Sequence, residues 1–491
     1  MEELKLTIQS GLSNFENELA EEVRPFLSAG EVHVCHTVEK RNGMNRHCVT
    51  IINGGKRASA CEQCQGEIED SWEQKRVDRR SAKLACYNAL VELTGRSQPW
   101  GSLTGVRPVN LLRKLAANGQ QRLFTELYKV DAQKYELCAD ILDLQDAVIK
   151  KVPEEAICIY AAVPFCASRC TYCSFPARVA KKGEMERYVE AFERECAAAS
   201  ETVHNAGVPV EAIYLGGGTP TALHEPLFER VMAAIRNAFP TAKEFTLEAG
   251  RPDTINKEKL LIAKRHGVTR LCVNPQTMSN KTLELIGRTH TAEQIIDTIE
   301  LARSLGFDRI NMDIIAGLPG EDIDNFKQTL DEIKCIRPSA LTCHTLSIKR
   351  GSKLRNATYV HADAGTVSDM VDMASQCAKE MGLVPYYLYR QKYMAGNLEN
   401  VGYATRESAC IYNIIMMEEL RNVMAIGVGA VGKAIFQTDQ GELIVRRPNP
   451  RELGVYLDRI DTICADKAHF FCVDKGEKSG YNTNHSDDGE E

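Results

Sequence analysis

The chain has 491 residues, of which 44% are hydrophobic and 26% are charged, and its formal net charge is -7 at pH 7. This length exceeds what one compact core holds, so we expect two or three domains. The mildly acidic charge excludes a nucleic-acid-binding surface on composition. No apolar run reaches the length of a membrane span, and the start Met-Glu-Glu-Leu-Lys is unlike a signal peptide, so a cytoplasmic protein is expected.

Residues 1–110 are predicted to form an accessory α+β domain. Two β-rich runs, 31–40 and 46–53, flank Asn42-Gly43, a strong hairpin signal, and a helix is predicted over 67–94. The polar stretch before that helix holds Cys61-Glu-Gln-Cys64, which is either half of a metal site or, by default, a pair of unligated thiols. Candidate partners for such a site are Cys35, Cys48 and His47. The chain has 18 cysteines, and without an export signal they favour reduced thiols and metal ligation over a disulfide framework.

Residues 111–152 are predicted to form a helical linker. The connector before it, 99–108, holds a tryptophan expected to be buried, Trp100, and Pro108, which is well placed to open a helix. Apolar residues then recur at helical spacing to about residue 149, with interruptions near Gly119 and Val130.

Between residues 153 and 382, strand-like runs alternate with helical ones, which indicates a parallel sheet with helices outside. The predicted strands are 157–163, 210–215, 244–248, 270–274, 309–316 and 341–348. The predicted helices are 184–203, 226–239, 257–266, 292–305, 322–336 and 366–381. Six units with unequal loops predict an α/β fold, an incomplete (β/α)6 TIM-like barrel with ligands at the carboxyl ends of its strands. Residues 383–472 are expected to add an α+β extension, and the acidic residues 473–491 a disordered tail.

A cluster of cysteines follows the first of these strands. Cys166, Cys170 and Cys173 have the spacing Cys-x3-Cys-x2-Cys. Three thiolates bind three corners of a [4Fe-4S] cube and leave one iron open. A structural zinc site needs four ligands, usually supplied as two pairs. The spacing therefore favours a cluster with an open iron over zinc.

Other candidate residues stand at or near the ends of the following strands. The second strand ends in Gly216-Gly-Gly-Thr-Pro-Thr221, where glycines form a tight turn or let the backbone approach a ligand. Glu248 ends the third strand and Asp313 lies on the fifth; each carboxylate there binds a ribose or ammonium group, or caps a helix or pairs with a cation. Gln276 and Arg288 flank the loop after the fourth strand, where Arg288 has the geometry to hold a carboxylate.

Taken together, these motifs resemble the radical S-adenosylmethionine (radical SAM) enzymes of the oxygen-independent coproporphyrinogen III oxidase family, which includes HemN- and HemW-like proteins. The resemblance covers about residues 156–350, with weaker similarity to 435. It rests on Tyr160-Ala-Ala-Val-Pro-Phe-Cys-x3-Cys-x-Tyr-Cys, Leu-Gly-Gly-Gly-Thr-Pro-Thr, Ile-Gly-Arg-Thr-His-Thr291 and Asn311-Met-Asp-Ile-Ile-Ala-Gly-Leu-Pro-Gly-Glu. The segments Pro-Trp-Gly-Ser-Leu-Thr-Gly, His-Thr-Leu-Ser-Ile-Lys-Arg350 and Tyr389-Arg-Gln-Lys-Tyr-Met are most similar to the HemZ branch, which carries an extra N-terminal domain.

The resemblance implies a [4Fe-4S] cluster on the three cysteines, with S-adenosylmethionine chelating the open iron. The cysteines and Tyr160 would form the catalytic set. The residues that match S-adenosylmethionine contacts are Tyr160, Tyr172, Gly217, Gly218, Thr219, Glu248, Gln276, Arg288, Asp313 and Ser347. The implied reaction, in haem biosynthesis, is oxidative decarboxylation of coproporphyrinogen III propionates to vinyl groups, giving protoporphyrinogen IX. A 5′-deoxyadenosyl radical would take the hydrogen, and a flavodoxin- or ferredoxin-type protein would donate the electron.

Two positions depart from the family pattern and keep a second function open. Ala162 stands where the family usually has His, and Phe175 stands where the oxidases have a further cysteine. Phe at that position resembles the haem-chaperone relatives. The alternative is therefore a haem-binding chaperone that uses the same scaffold without this turnover, with His344 or a cysteine as the candidate axial ligand. Candidate cations for substrate carboxylates are Lys349, Arg350, Arg390 and Lys392.

Overall fold

The computed structural model describes residues 4–27, 29–104, 107–348, 352–356, 362–391, 394, 397–438 and 441–472. The chain divides into two compact units: the first spans residues 1–139, 390–392 and 396–398, and the second spans 140–389, 393–395 and 399–491. The domain boundaries expected at 110, 152 and 382 stay predictions. Among the described helices, none is both long enough and apolar enough to cross a membrane.

The first unit contains a four-stranded sheet packed against helices. Its strands are β1 (Lys5–Ser10), β2 (Glu31–Arg41), β3 (Met44–Asn53) and β4 (Lys56–Gln65). β1 pairs parallel with β2, and the other pairs are antiparallel. Asn42 and Gly43 both have positive φ and form the predicted hairpin turn. Alternate side chains of β2 and β3, such as Val34 and Ile51, form the core with α1 (Glu16–Val23) and α2 (Ser71–Thr94).

The stretch around Cys61 and Cys64 is a strand rather than the polar loop that its composition suggests. The inward positions of β4 are held by small residues such as Ala58 and Cys64, which lack the β-branched and aromatic side chains typical of strands. Successive side chains of a strand point to opposite faces, so Cys61 and Cys64, three residues apart, cannot be half of one metal site. Cys61 instead lies opposite Cys48 and forms a disulfide with it, so the expectation of unligated thiols is wrong for Cys61, whereas Cys64 is a free thiol.

The linker region is helical where the sequence predicted it. Its helices are α3 (Pro108–Ala117), α4 (Leu123–Glu126) and α5 (Ala132–Ile149), with Pro108 in the first turn of α3. Trp100 is fully buried, as expected. The Arg390 guanidinium lies 5.1 Å from its ring centroid and donates hydrogen bonds to the carbonyls of Leu103 and Asn397. Arg390 is therefore a structural contact of Trp100 and not an open cation for a substrate.

The second unit is built on an open sheet of eleven strands. Six parallel strands follow each other in chain order and confirm the predicted alternation: β5 (Ile157–Val163), β6 (Val210–Gly217), β7 (Glu244–Gly250), β8 (Arg270–Val273), β9 (Ile310–Ala316) and β10 (Ala340–Thr345). The helices among and after them are α6 (Glu184–Ala206), α7 (Glu225–Ala238), α8 (Lys257–Arg265), α9 (Asn280–Leu285), α10 (Ala292–Ser304), α11 (Ile323–Ile336) and α12 (Ala364–Glu380). The described strands do not close into a complete barrel, so the incomplete-barrel prediction holds.

The C-terminal region extends this sheet at both edges instead of forming a separate layer. β13 (Val423–Gly427) pairs parallel with β5, and β14 (Val431–Thr438) and β15 (Gly441–Pro448) follow antiparallel. At the other edge, β12 (Asn400–Ala404) pairs antiparallel with β10 and with β11 (Val384–Tyr389). Three helices complete the region: α13 (Ile411–Glu418), α14 (Leu453–Asp458) and α15 (Ile460–Lys467). The apolar sequence of β5 on both faces is explained by this central position.

Candidate functional site

The cysteine loop begins where β5 ends and is joined to the glycine turn that ends β6. The Gly218 amide donates to the carbonyl of Val163, and the Thr219 amide donates to that of Phe165, both at 2.7 Å. A Cβ atom on Gly218 would lie 2.5 Å from the Phe165 oxygen, and Gly217 has φ of 101°. The glycines are therefore required by the close approach of two backbones.

Backbone hydrogen bonds close the cysteine loop on itself and tie it to a neighbouring turn. The Cys166 amide donates to Arg178 O at 3.0 Å, and the Arg178 amide donates to Pro164 O at 2.9 Å. In the middle of the loop, the Thr171 amide donates to Ile286 O at 3.0 Å. The loop is thus fixed at its base and at its tip, which holds its cysteines in place.

Arg251, which the sequence analysis did not single out, clamps this loop from the end of β7. It is 3% exposed, and its Nη1 donates to the carbonyl and the hydroxyl of Ser168 at 3.1 and 2.6 Å. Its other nitrogens donate to Asp253 at 2.9 and 2.6 Å. The sequence signal for it is Gly250-Arg251-Pro252, a glycine and proline pair at a strand's carboxyl end.

The thiols of the loop are close enough to affect one another's ionisation. Burial raises the pKa of Cys173 to about 11, and the nearby charges of Cys170 and Cys166 add to this effect. Burial also raises the pKa of Cys166, which the Thr219 hydroxyl, donating at 3.6 Å, lowers in part. The loop therefore brings the three predicted cysteines together.

Polar side chains from β7, β8 and β9 lie beside one another. The Gln276 amide donates to Asp313 O at 2.8 Å, and the Ile315 amide donates to Gln276 O at 3.0 Å. Gln276 has φ of 69°, and its buried Oε1 has no hydrogen-bond partner. Burial and the nearby Asp313 raise the pKa of Glu248 to about 8. A buried amide oxygen without a donor and a buried carboxylate with a raised pKa are groups that a hydrogen-bond-donating, positively charged ligand would satisfy.

Asp313 keeps its charge because two neighbours hold it. Burial alone would raise its pKa, but His344 Nε2 at 3.6 Å and Asn311 Nδ2, which donates at 2.7 Å, bring it below the ordinary value. The Tyr389 hydroxyl lies 3.2 Å from the other nitrogen of His344. His344 is a candidate haem ligand on sequence grounds. In the structure, however, its two ring nitrogens already face Asp313 and Tyr389.

Arg288 is buried and engaged by protein groups. Its Nη1 donates to Asn274 O at 2.5 Å, and its Nη2 donates to the Tyr172 hydroxyl at 3.0 Å. Burial lowers the pKa of Arg288, but Tyr172 and Cys170 raise it overall. Arg288 therefore connects the cysteine loop to β8. Its proposed hold on a ligand carboxylate stays a prediction.

Tyrosine rings line the interior of the sheet next to Glu248. The ring centroid of Tyr412 lies 6.0 Å from that of Tyr160 and 4.7 Å from that of Tyr214, with interplanar angles of 20° and 28°. Burial raises the pKa of Tyr160, and the Glu248 charge raises it further. Tyr412 comes from the C-terminal region, on α13, so the sequence gives no signal that it belongs here.

The remaining predicted residues lie at the edges of the site. Ser347 follows β10 and pairs with Met394 in an antiparallel bridge. Ala162 is buried on β5, and Phe175 is 63% exposed just after the cysteines. Lys349, Arg350 and Lys392 lie outside the described residues, as does the predicted tail.

Comparisons with known proteins agree with this site. The model of the radical SAM superfamily matches residues 160–333. The oxygen-independent coproporphyrinogen-III oxidase-like protein HemZ of Bacillus subtilis is 38% identical over 397 residues, which are 78% of this chain and 79% of that protein. The haem chaperone HemW of Escherichia coli is 26% identical over 65% of this chain and 81% of its own length. The structure of coproporphyrinogen III oxidase, HemN, from Escherichia coli covers 65% of this chain and 72% of its own, with a TM-score of 0.49 and 21% identity.

Radical SAM proteins use a [4Fe-4S] cluster together with S-adenosylmethionine and need an electron donor. The family match spans the cysteine loop, the glycine turn and the polar residues of β7 to β9. The extent and identity of the HemZ match carry the assignment beyond the superfamily. The chain belongs to the radical SAM superfamily and, within it, to the family of oxygen-independent coproporphyrinogen-III oxidase-like proteins of the HemZ, HemN and HemW type.

Proposed function

We propose that this protein is an oxidoreductase that decarboxylates the propionate groups of coproporphyrinogen III to vinyl groups, without oxygen, to give protoporphyrinogen IX. The observation that carries the proposal is a group of tyrosine rings around β5, the strand that leads into the cysteine loop. Tyr160 and Tyr214 are only partly buried and would offer aromatic surface to a large flat macrocycle, with Tyr412 packed against both. The similarity to HemZ, which is named as an oxidase-like protein, supports the same reaction class.

The residues present fit the two cofactors of the superfamily. Cys166, Cys170 and Cys173 would hold the cluster; burial, with a smaller effect of the neighbouring thiols, raises the pKa values of Cys166 and Cys173, and a bound metal would favour their thiolates. The orphaned Gln276 Oε1 and the Glu248 carboxyl would accept hydrogen bonds from S-adenosylmethionine. When bound, the cofactors supply a one-electron reduction and a radical that removes hydrogen from the substrate.

The chain's own groups would position the cofactors and exclude water. The Gly217–Thr219 turn packs its backbone against the cysteine loop and would hold the loop in place beside the cofactors. Glu248 takes up a proton readily when no cation is near and would lose that proton to solvent when a cationic ligand binds. Tyr160, Tyr214 and Tyr412 form an apolar wall that keeps solvent from the reacting carbon.

An anaerobic assay tests the proposal. Reconstituted protein, reductant, S-adenosylmethionine and coproporphyrinogen III should yield vinyl products and 5′-deoxyadenosine. Tyr412→Leu should lower kcat/KM for the porphyrinogen about tenfold, because the flat aromatic face is lost. Tyr412→Phe keeps that face and serves as the matched control. An absence of vinyl products from protein with a full cluster and bound S-adenosylmethionine would contradict the proposal.

The second candidate is a haem-binding chaperone, and the observation that favours it is the exposed Phe175 after the cysteines. HemW proteins, which are named haem chaperones, are also similar to this chain. Under this alternative the protein would bind haem stably and form no vinyl product in the same assay. A haem Soret band that disappears in His344→Ala would identify His344 as the axial ligand.

A further inference from the structure

A second cluster of metal-ligating side chains lies on the inner face of the N-terminal sheet, apart from the cysteine loop in sequence. His36 on β2, His47 on β3 and Cys64 on β4 point towards α2, which contributes Asp78. All four are buried, with exposures of 3%, 0%, 7% and 8%. These side chains hydrogen-bond to one another, and Asn45 Nδ2 also donates to Asp78 Oδ1 at 2.8 Å, so they form one connected polar cluster in the interior.

The ligand atoms of three of these residues already converge. Asp78 Oδ1 lies 3.0 Å from His47 Nε2 and 3.4 Å from Cys64 Sγ. Among the described residues, His47, Cys64 and Asp78 are the one group of three whose ligand atoms all lie within 4.8 Å of one another. A tetrahedral zinc ion would separate an oxygen from a nitrogen by about 3.4 Å and from a sulfur by about 3.6 Å. The observed distances need to lengthen by only a few tenths of an ångström.

The chemistry of the three donors selects the class of metal. An imidazole, a thiolate and a carboxylate are ligands of zinc and similar divalent ions, not of calcium or magnesium, which take oxygen donors. The thiolate and the carboxylate together carry two negative charges, which a divalent ion neutralises in the buried site. We propose that His47, Cys64 and Asp78 bind a zinc-type divalent cation, with a water molecule at the fourth position.

A chain of hydrogen bonds behind His47 fits the outer shell of such a site. His47 Nδ1 lies 3.1 Å from His36 Nε2, and His36 Nδ1 lies 3.0 Å from the Ser10 hydroxyl. Metal on Nε2 leaves the proton of neutral His47 on Nδ1, which then donates to His36. His36 in turn donates to Ser10, whose hydroxyl oxygen also accepts from the Leu12 amide at 3.1 Å. With a metal on His47, each donor in this series of hydrogen bonds therefore faces an acceptor.

Of the two cysteines in Cys61-x-x-Cys64, only Cys64 belongs to this site. Cys61 is exposed on the other face of β4 and bonded to Cys48. Cys64 alone faces inward, where it meets residues from two other elements. The inference does not depend on the proposed function, because none of these residues belongs to the cysteine loop or to the barrel.

Cobalt is the probe for the test, because a sulfur-to-cobalt charge-transfer band reports thiolate ligation directly. The full-length chain carries Cys166→Ser, Cys170→Ser and Cys173→Ser so that no cluster thiol contributes. The band should saturate near one cobalt ion per chain, and zinc should displace it. Cys64→Ser should abolish the band, and His36→Leu should weaken affinity about 10–100-fold while keeping the band. Cys35→Ser, on the exposed face of β2, is the matched control and should change nothing.

Thermal unfolding supplies the second measurement. Added zinc should raise the Tm of the parent and of Cys35→Ser but not of Asp78→Asn, which keeps the side-chain shape and removes the charge. A parent protein that shows neither a charge-transfer band nor a zinc-dependent Tm would overturn the inference. A band that survives in Cys64→Ser would overturn it as well, even if Asp78→Asn proves unstable.

Discussion

Arg251 Nη1 donates to the Ser168 hydroxyl at 2.6 Å and to the Ser168 carbonyl at 3.1 Å, so a residue from the end of β7 fixes the loop that carries the three cysteines. Asp253 holds the guanidinium from the other side, with two hydrogen bonds. The loop geometry therefore depends on a buried arginine, paired with Asp253, that lies outside the cysteine motif.

Arg251→Ala should lower iron occupancy and destabilise the protein, because it removes both hydrogen bonds to Ser168 and one partner of the partly exposed Asp253 carboxylate. Hydrogen bonds to charged groups contribute about 1.5–3 kcal/mol. Iron content and the free energy of unfolding are the measurements. Arg265→Ala, whose side chain is 53% exposed and pairs with Glu229, should cost less than about 1 kcal/mol and leave iron unchanged. Equal effects of the two substitutions would refute the clamp.

Cys170→Ala should abolish the absorbance of the cluster, because two thiolates cannot hold three irons of a cube. The measurement is the visible spectrum of anaerobically reconstituted protein. Cys377→Ala removes an equally buried thiol from α12 and should keep the spectrum. An intact cluster in Cys170→Ala would refute the assignment of the ligands.

Gly218→Ala should weaken S-adenosylmethionine binding and lower stability, since its Cβ would meet the Phe165 carbonyl at 2.5 Å. Overpacking of this kind costs about 1–3 kcal/mol. Calorimetric titration and denaturant unfolding measure the two effects. Gly454→Ala, where a Cβ meets nothing within 4 Å, should change neither quantity. Unchanged S-adenosylmethionine binding in Gly218→Ala would contradict the close approach of Gly218 to the Phe165 carbonyl.

Glu248 should make the free protein less stable as the pH rises. Its pKa is about 8 in the folded state, chiefly because of burial, against an ordinary value of 4.5. The stabilisation that comes from protonated Glu248 is fully present below about pH 4.5 and is lost as the pH rises through about 8, because the folded state holds this proton more tightly than the unfolded state does. In Glu248→Gln, the fall in the free energy of unfolding between about pH 4.5 and pH 8 should therefore be smaller than in the parent by roughly 2–4 kcal/mol.

Denaturant unfolding at a series of pH values measures this difference. Glu258→Gln, on an exposed position of α8, is the control and should follow the parent curve. Glu248→Gln should also reduce the gain in S-adenosylmethionine affinity with rising pH, because it has no proton to release. A parent-like pH profile in Glu248→Gln would contradict the raised pKa.

Glu195 should be one of the most sensitive positions for stability. It is fully buried on α6 and accepts hydrogen bonds from the Gly427 amide at 2.8 Å, the Tyr456 hydroxyl at 2.6 Å and Lys467 at 2.8 Å. Glu195→Ala should cost about 3–5 kcal/mol, because Lys467 is left buried without its counter-ion. The measurement is the free energy of unfolding.

Two residues earlier on the same helix, Glu193 pairs with Arg230 at the surface and provides the control. Glu193→Ala should cost at most about 1 kcal/mol. If both variants lost the same amount, the buried pair would not anchor β13 to α6.

Local signals were sufficient for the elements and motifs that depend on neighbouring residues. Asn42-Gly43 predicted its hairpin, because a type I′ turn needs two residues that tolerate positive φ. The apolar runs around Ile157 and Ile310 predicted parallel strands, because a strand covered on both faces has no polar side. The cysteine spacing predicted a loop for a metal group and, through the family resemblance, its cofactors.

Local signals could not predict which residues from distant parts of the chain lie together. β4 was missed because small residues fill its inward positions, and the pairing of Cys48 with Cys61 followed from the register of that missed strand. Arg251 and Tyr412 have no motif of their own, so only the packed structure brings them to the loop and the tyrosine wall. The position of β13 beside β5 is likewise a non-local pairing.

From the order of residues alone we obtain the alternation of strands and helices, the thiol spacing and the family, because these signals come from residues that are near one another along the chain. The packed fold is needed to show which side chains face inward on each strand, that the Glu248 carboxyl is removed from solvent, and that Arg251 clamps the loop. Burial and the pairing of charges depend on the elements that pack on a residue, and these elements come from distant parts of the chain.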